Sequence, residues 1–130
     1  MDFQPLSQLV DLSGKTAIVT GGATGIGFGI AYRLAEAGAA VVVADVNASA
    51  AETAARKLRD KRMRAAAMTV DIADAAQIDQ MVEFTQRTFG GVDILVNNAG
   101  IYPTIPVMRM EAADFDRIIS VNLRGAFLAI

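Results

Sequence analysis

Four glycines within eight residues restrict the possible folds of this chain more than any other feature. The stretch is Thr20-Gly21-Gly22-Ala23-Thr24-Gly25-Ile26-Gly27. Before it, Thr16–Thr20 is short, apolar and β-branched, which predicts a buried strand; after it, Ile26–Ala37 has apolar residues at helical spacing and ends before Gly38. Glycine allows a tight turn between such a strand and helix, and lets a phosphate group approach the helix N-terminus. A glycine cluster alone also suits a turn that is merely sterically tight, so the prediction depends on the flanking strand and helix.

The rest of the chain repeats this alternation of strand and helix. Strands are predicted at Ala39–Asp45, Arg64–Val70 and Val92–Asn97, and helices at Ala48–Lys61, from the N-cap Asp74 to Phe89, and from near Glu111 to the chain end. Between the last strand and helix, Ile101–Met110 is predicted to be a loop. Alternating elements imply right-handed crossovers and a parallel sheet with helices on both faces. We therefore predict an α/β fold over residues 1–130, an incomplete Rossmann-type doubly wound parallel sheet of three layers, with about four strands in the order 3-2-1-4.

The composition excludes several classes of protein. Hydrophobic residues make up 53% of the chain, the formal net charge is −2, and there is no cysteine and no histidine. The sequence therefore lacks disulfides, zinc-finger ligands, a thiolate nucleophile and a histidine general base. The N-terminus does not resemble a signal peptide, and no apolar stretch approaches a membrane-spanning length of about 20 residues. We expect a cytoplasmic protein with no membrane partner.

A cluster of basic residues raises nucleic-acid binding as an alternative function. Six of the twelve basic residues lie between Arg56 and Arg64, and a basic helix can contact phosphates. The net negative charge of the chain and the lack of interleaved aromatic residues favour a solvated helix face instead. We expect no nucleic-acid partner.

Polar residues follow the predicted strands, at the sheet edge where open α/β proteins bind ligands. Asp45 ends the second strand 20 positions after Gly25, where an acid binds the adenosine ribose hydroxyls and repels a 2′-phosphate. No arginine or lysine lies in the glycine loop or directly after Asp45, so we predict NAD rather than NADP. The alternative is an aspartate that caps the next turn. Asp71 follows the third strand and Asn97-Asn98-Ala99-Gly100 the fourth, where asparagine can also serve simply to close a turn.

In order and spacing, these motifs resemble the short-chain dehydrogenase/reductase family from Leu12 to the end of the chain. The glycine stretch is similar to the family's Thr-Gly-x-x-x-Gly-x-Gly motif, Asp71 to its adenine-contacting aspartate, and Asn97–Gly100 to its Asn-Asn-Ala-Gly motif. Val121-Asn122 with Gly125 resembles the segment that contains its catalytic asparagine. The resemblance implies that Asn122 orders a water in a proton relay. It implies that the cofactor is bound by Gly21, Thr24, Gly25, Ile26, Gly27, Asp45, Asp71, Ile72, Asn98, Ala99 and Gly100.

The same resemblance defines what these residues lack. The family's chemistry uses a serine, a tyrosine as general acid/base, and a lysine four residues after that tyrosine, whose charge lowers the tyrosine pKa. Here Tyr32 is followed at that spacing by Glu36, and Tyr102 by Pro106. The resemblance therefore implies the NAD-binding part of an oxidoreductase that transfers a hydride between a nicotinamide cofactor and a small secondary alcohol or ketone. The chain alone is expected to be inactive.

Two expectations concern the protein as a whole. The chain ends at Leu128-Ala129-Ile130 inside a predicted helix, without a stop signal, so we expect a domain truncated before the catalytic serine, tyrosine and lysine. In the family the equivalent helix helps to form a subunit interface, which implies that the full-length parent is a homo-oligomer, a dimer or a tetramer.

A non-catalytic module that binds NAD fits the same residues and is the alternative function.

Overall fold

Four parallel strands in the order β3-β2-β1-β4 form the sheet of the computed structural model, which describes Phe3 and residues 5–130. The strands are β1 (Thr16–Thr20), β2 (Ala40–Asp45), β3 (Ala65–Thr69) and β4 (Ile94–Val96). The α-helices are α1 (Leu6–Leu9), α2 (Gly25–Glu36), α3 (Ala48–Arg59), α4 (Ala75–Phe89), α5 (Ala112–Ile119) and α6 (Ala126–Leu128). A 3₁₀ turn lies at Val107–Arg109, and a π-helical segment at Ser120–Gly125 joins α5 to α6. The predicted fold class and strand order are confirmed.

The two inner strands, β1 and β2, are almost completely buried. β1 pairs with β2 in the register Ile18↔Val42 and with β4 in the register Ile18↔Leu95, and β2 pairs with β3 in the register Val42↔Ala66. Helices cover both faces of an inner parallel strand, which is why β2 is apolar without alternation. In the described part of the chain β4 pairs only with β1, and its three residues are partly exposed.

Alternate residues of the strands enter two hydrophobic cores, one on each face of the sheet. The core beneath α2 and α3 consists mainly of alanine and valine, and it contains the fully buried Leu58. The core beneath α4 and the last helix contains Ile18 and Val42 of the sheet with Ile78 and Met81 of α4. Leu58, Ile78 and Met81 are buried in these two cores.

The helix ends follow ordinary capping chemistry. The predicted N-cap of α4 is confirmed, because the Asp74 carboxylate accepts the N–H of Ala76 at 2.9 Å. A hydrogen bond from the side chain of Gln77 lowers the pKa of Asp74 below its ordinary value. Asn47 caps α3 in the same way, and Gly90 ends α4 in the left-handed conformation at φ 94°.

The buried face of α2 differs from the apolar stripe that the sequence suggests. That stripe begins at Ile26 and Ile30, but Ile26 is 79% exposed. The buried residues of α2 are instead Gly27, Ala31 and Ala35. Small residues let the helix axis lie close to the sheet, whereas the larger apolar side chains line an open groove on the surface.

The predicted boundaries needed correction at the outer strands. β4 is shorter than the predicted Val92–Asn97: at its start the carboxylate of Asp93 takes the N–H of Thr16 at 2.9 Å, and at its end the N–H of Asn98 turns back to the carbonyl of Val96 at 3.0 Å. β3 is one residue shorter at each end than predicted, and α3 ends at Arg59 rather than Lys61.

The last helix is not the single α-helix predicted from near Glu111 to the chain end. Its middle is a π-helical segment, in which each turn contains more residues than an α-turn. Tertiary contacts hold this segment: Asn122 bonds to the backbone of Ile101, and Gly125 lies against Ile72. Hydrophobic periodicity predicts neither contact, which explains the error.

Apolar side chains remain exposed along one side of α5 and the segments that follow it. The exposed fractions are 55% for Phe115, 37% for Ile119, 63% for Leu123 and 74% for Phe127. None of the helices in the described ranges combines the length and apolar character needed to cross a membrane.

Candidate functional site

A cleft of about 800 Å³ opens at the carboxyl edge of the sheet. It lies where the chain leaves β1, β2, β3 and β4, the position at which open α/β sheets bind ligands. Every residue predicted to bind the cofactor lines it, and so does Asn122: Gly21, Thr24, Gly25, Ile26, Gly27, Asp45, Asp71, Ile72, Asn98, Ala99, Gly100 and Asn122. The fold therefore brings these residues together, although the sequence spreads them over about a hundred positions.

The glycine turn presents bare backbone to this cleft. Gly25 has a positive φ of 53°, and a Cβ added there would meet no atom within 4 Å. The first hydrogen bond of α2 runs from the N–H of Phe28 to the carbonyl of Thr24 at 3.1 Å. The N–H groups of Gly25, Ile26 and Gly27 precede that bond, so they have no partner within the helix. This arrangement fits a diphosphate, because orphan N–H groups and the positive end of the helix dipole both attract anions.

Gly27 allows α2 to begin directly against the turn. A Cβ at this position would overlap the carbonyl oxygen of Gly21 and would lie 2.5 Å from Nδ2 of Asn98. Because Gly27 has no side chain, the N-terminus of α2 can lie close to the end of β1.

Thr20 and Asn98 fix the shape of the turn. The Thr20 hydroxyl donates to the carbonyl of Val96 at 3.2 Å and accepts the N–H groups of Asn98 and Ala99, each at 3.1 Å. In return, Nδ2 of Asn98 donates to the carbonyls of Thr20 at 3.0 Å and Gly21 at 3.1 Å. Asn98 therefore positions the glycine turn, and its amide does more than close its own turn.

Asp45 is half-buried in the wall of the cleft at the end of β2. Its Oδ2 accepts the N–H of Ala23 at 3.1 Å, and its Oδ1 accepts the N–H of Asn47 at 3.0 Å. The turn-capping contact considered from the sequence is thus present. Each carboxylate oxygen has a further lone pair, so the same group can also accept hydroxyl donors from the cleft.

Asp71 and Ile72 contribute to the wall at the end of β3 in different ways. Asp71 is exposed, and its Oδ1 accepts the N–H of Ala73 at 2.9 Å. Ile72 is 6% exposed and packs beneath Gly125, where an added Cβ would lie 2.6 Å from the Ile72 carbonyl oxygen. Ile72 therefore serves mainly as buried support for the wall.

Asn122 joins the last helix to the loop after β4. Its Oδ1 accepts the N–H of Ile101 and its Nδ2 donates to the carbonyl of Ile101, both at 2.8 Å. Four residues later the carbonyl of Ala126 accepts a hydrogen bond from Nδ2 of Asn97 at 3.2 Å. Asn97 directly follows β4 and Ile101 lies further along the chain, so the helix runs back antiparallel to the direction of β4.

Several residues of the cleft were missed by the sequence analysis. They are Val46, Ala73, Tyr102, Arg117, Ser120 and Val121. Val46 could have been found as the neighbour of Asp45, and Ser120 and Val121 as the residues before Asn122. For Arg117 the available clue was its position five residues before Asn122 in the same predicted helix.

The basic cluster from Arg56 to Arg64 is used within the fold. Lys57 lies 5.6 Å from the ring centroid of Phe28, and Lys61 lies 5.9 Å from that of Tyr32. Arg59 pairs with Glu52 at 2.5 Å. These contacts, which the sequence analysis did not anticipate, give Lys57, Arg59 and Lys61 partners within the fold.

The comparisons with known proteins agree with this geometry. The family model described as short chain dehydrogenase matches residues 15–130. Galactitol 2-dehydrogenase from Agrobacterium fabrum (strain C58 / ATCC 33970) is 40% identical over 114 residues, which cover 88% of this chain and 43% of the relative. D-threitol dehydrogenase from Mycolicibacterium smegmatis (strain ATCC 700084 / mc(2)155) is 39% identical over 117 residues, 90% of this chain and 45% of the relative.

A solved structure extends the agreement to three dimensions. A dehydrogenase/reductase from Sinorhizobium meliloti 1021 superposes with a TM-score of 0.93 at 44% identity, covering 98% of this chain and 51% of that structure. The chain spans about half the length of the proteins that it matches. The glycine turn, the strand order and these matches together show that the chain belongs to the short-chain dehydrogenase family.

Proposed function

We propose that this chain is the NAD-binding part of an oxidoreductase that transfers a hydride between a nicotinamide cofactor and a secondary alcohol or ketone. The observation that supports this most is the cleft, in which the open N-terminus of α2 and the carboxylate of Asp45 face the same space. A dinucleotide offers a diphosphate to the first and a ribose diol to the second. The hydride donor or acceptor in this chemistry is the nicotinamide of the bound cofactor.

The proposed cofactor is NAD rather than NADP. Asp45 is held by the N–H groups of Ala23 and Asn47, so its negative charge is fixed in the cleft wall. A ribose diol can donate hydrogen bonds to this carboxylate, whereas a 2′-phosphate would be repelled by it. Val46, which follows it, is 70% exposed and brings no cation to the position.

Calorimetric titration with NADH and NADPH tests the cofactor and its specificity. We expect NADH to bind at least about 10-fold more tightly, since one repulsive charge contact is worth about 1.4 kcal/mol or more. Asp45→Asn keeps a hydrogen-bond acceptor but removes the charge, and it should reduce the difference in affinity between NADH and NADPH. Asp45→Ala combined with Val46→Arg should make NADPH the more tightly bound of the two. If neither nucleotide binds the wild-type protein, the proposed function is wrong; equal binding would contradict the role of Asp45 alone.

For the proton relay, we propose that Asn122 supports an ordered water. One N–H and one lone pair of its amide are taken by Ile101. A carboxamide has a second N–H and a second lone pair, which remain for a water in the cleft. The bonds to Ile101 fix the orientation that such a water would need.

The 130 residues are proposed to bind the cofactor without catalysing the reaction. Neither tyrosine is followed four residues later by lysine, so the chain lacks the pair that would exchange a proton with the substrate. An assay of NAD reduction with the purified chain is expected to show no turnover at cofactor saturation. Measurable turnover would show that another group supplies the general base.

The proposed substrate class is a polyol or its ketone. Two of the relatives are named for the polyols galactitol and D-threitol. A panel of polyols tested for NAD reduction by the full-length protein would check the class, with simple secondary alcohols as the comparison. Activity confined to the simple alcohols would contradict the proposal.

The exposed apolar side of the last helix supports a proposed homo-oligomer. Phe115, Leu123 and Phe127 are each more than half exposed, and such patches often mark interfaces. Sedimentation of the full-length protein should give a dimer or tetramer, and Leu123→Glu should shift it towards the monomer. A monomeric wild-type protein would refute the interface.

A further inference from the structure

Arg117 is the cationic side chain that the described residues contribute to the lining of the cleft, where Asp45 and Asp71 supply negative charge. It is exposed, and the ion pairs within the described ranges join other residues. A guanidinium that faces a ligand cleft without a carboxylate partner is available to a ligand. Neither the proposed cofactor contacts nor the proposed proton relay uses it.

The hydrogen bonds of the last helix show where Arg117 lies relative to the sheet. Nη1 of Arg124 donates to the carbonyl of Ala73 at 3.1 Å, so this face of the helix is turned towards the loop after β3. Arg117 lies in α5, before the π-helical segment, and lines the same cleft as Asp71 and Ala73. Because the helix runs antiparallel to β4, earlier residues lie further above the carboxyl edge. Arg117 thus stands above the wall that Asp71 and Ala73 form.

We propose that the guanidinium of Arg117 covers the adenine ring of the bound dinucleotide, an inference that rests on the proposed function. Asp45 would hold the adenosine ribose, which places the adenine between the ends of β2 and β3. One side of that space is the exposed, apolar Val46. A planar guanidinium suits the opposite side, because it stacks on aromatic rings and is more weakly hydrated than an ammonium group. The cleft would then hold the adenine by an apolar contact on one side and a cationic contact on the other.

NMR-detected titration of the ¹⁵N-labelled protein with three probes tests this placement. The probes are adenosine, ADP-ribose and nicotinamide mononucleotide. Arg117→Met removes the charged plane but keeps a flexible chain of similar reach, and Arg87→Met, an exposed arginine outside the cleft lining, is the matched control. We expect Arg117→Met to weaken the binding of adenosine and of ADP-ribose by the same factor, about 3- to 10-fold, and to leave the binding of nicotinamide mononucleotide unchanged. Arg87→Met should change none of the three.

The outcomes separate this inference from the proposed function. Failure of the wild-type protein to bind ADP-ribose would refute the dinucleotide site itself, and the inference with it. Wild-type binding that Arg117→Met does not weaken would refute only the contact with Arg117. Weaker binding of ADP-ribose with unchanged adenosine would show that Arg117 attracts the phosphates, and would overturn its placement over the ring. A ¹⁵N spectrum of Arg117→Met with wild-type dispersion confirms that the variant is folded.

Discussion

Replacing Gly27 by alanine tests the close contact between the glycine turn and α2. Alanine is the better helix former by about 1 kcal/mol. At this position, however, the new Cβ would overlap the carbonyl oxygen of Gly21 and lie 2.5 Å from Nδ2 of Asn98. The first is backbone, and the second is held by two hydrogen bonds, so neither moves easily. Overpacking costs about 1–3 kcal/mol, and rigid neighbours favour the upper value; the net loss in free energy of unfolding should be about 2 kcal/mol.

Gly29→Ala is the matched control on the same helix. A Cβ at Gly29 meets nothing within 4 Å, so only the helix propensity remains, and we expect a gain of about 1 kcal/mol. Urea denaturation followed by circular dichroism measures both values. In thermal melts, 1 kcal/mol corresponds to roughly 3–6 °C for a domain of this size, so the two variants should differ by roughly 9–18 °C. If Gly27→Ala were as stable as Gly29→Ala, the argument from close packing would be refuted.

Three further substitutions test other contacts. Thr20→Val leaves the N–H of Ala99 without its acceptor, whereas the N–H of Asn98 keeps the carbonyl of Val96 at 3.0 Å, and the substitution should cost about 2 kcal/mol in urea denaturation. Thr16→Val, in the same strand, should cost less than about 1 kcal/mol, and similar losses would contradict the role of the Thr20 hydroxyl. Asn122→Ala should speed hydrogen exchange of the Ile101 amide by about 5- to 10-fold, whereas Asn122→Asp keeps the acceptor and should change it less. The pKa of Asp93 lies below its ordinary value of 3.8, mainly because its carboxylate accepts the N–H of Thr16, and secondly because it accepts a hydrogen bond from the side chain of Lys15. The Asp93 carboxylate therefore stabilises the fold at pH values above its ordinary pKa, and this stabilisation is lost as the pH falls through the lower pKa of the folded state. Asp93→Asn should accordingly lose less stability than wild type below about pH 4, and parallel acid-denaturation curves would argue against this contact.

Much of the fold and the site was predictable because the determining chemistry is local. Asp45 stands at a fixed distance from the glycine turn, and parallel strands bring their carboxyl ends to one edge of the sheet. Short apolar strands separated by helices leave few possible topologies. The sequence therefore indicated the strand order and the residues of the cleft.

Other features depend on contacts between distant segments. Hydrophobic periodicity placed Ile26 on the apolar stripe of α2. The helix instead packs through Gly27 and Ala31, because the glycine turn must lie against it. Arg117 enters the cleft only because the last helix folds back antiparallel to β4. The hydroxyl of Thr20 reaches backbone groups nearly eighty positions away, which no local pattern records.

The π-helical segment Ser120–Gly125 has a consequence for insertions and deletions in this family. A wide turn of this kind contains one more residue than the α-turn that would replace it. Deleting Arg124 would let the helix continue as an ordinary α-helix, with the residues beyond the deletion on nearly the same faces. Gly125 would stay over Ile72, and the carbonyl of Ala126 that receives Asn97 would keep its direction. This stretch is therefore expected to tolerate the loss of that one residue, whereas one residue inserted into regular α5 would turn everything beyond it by about 100°.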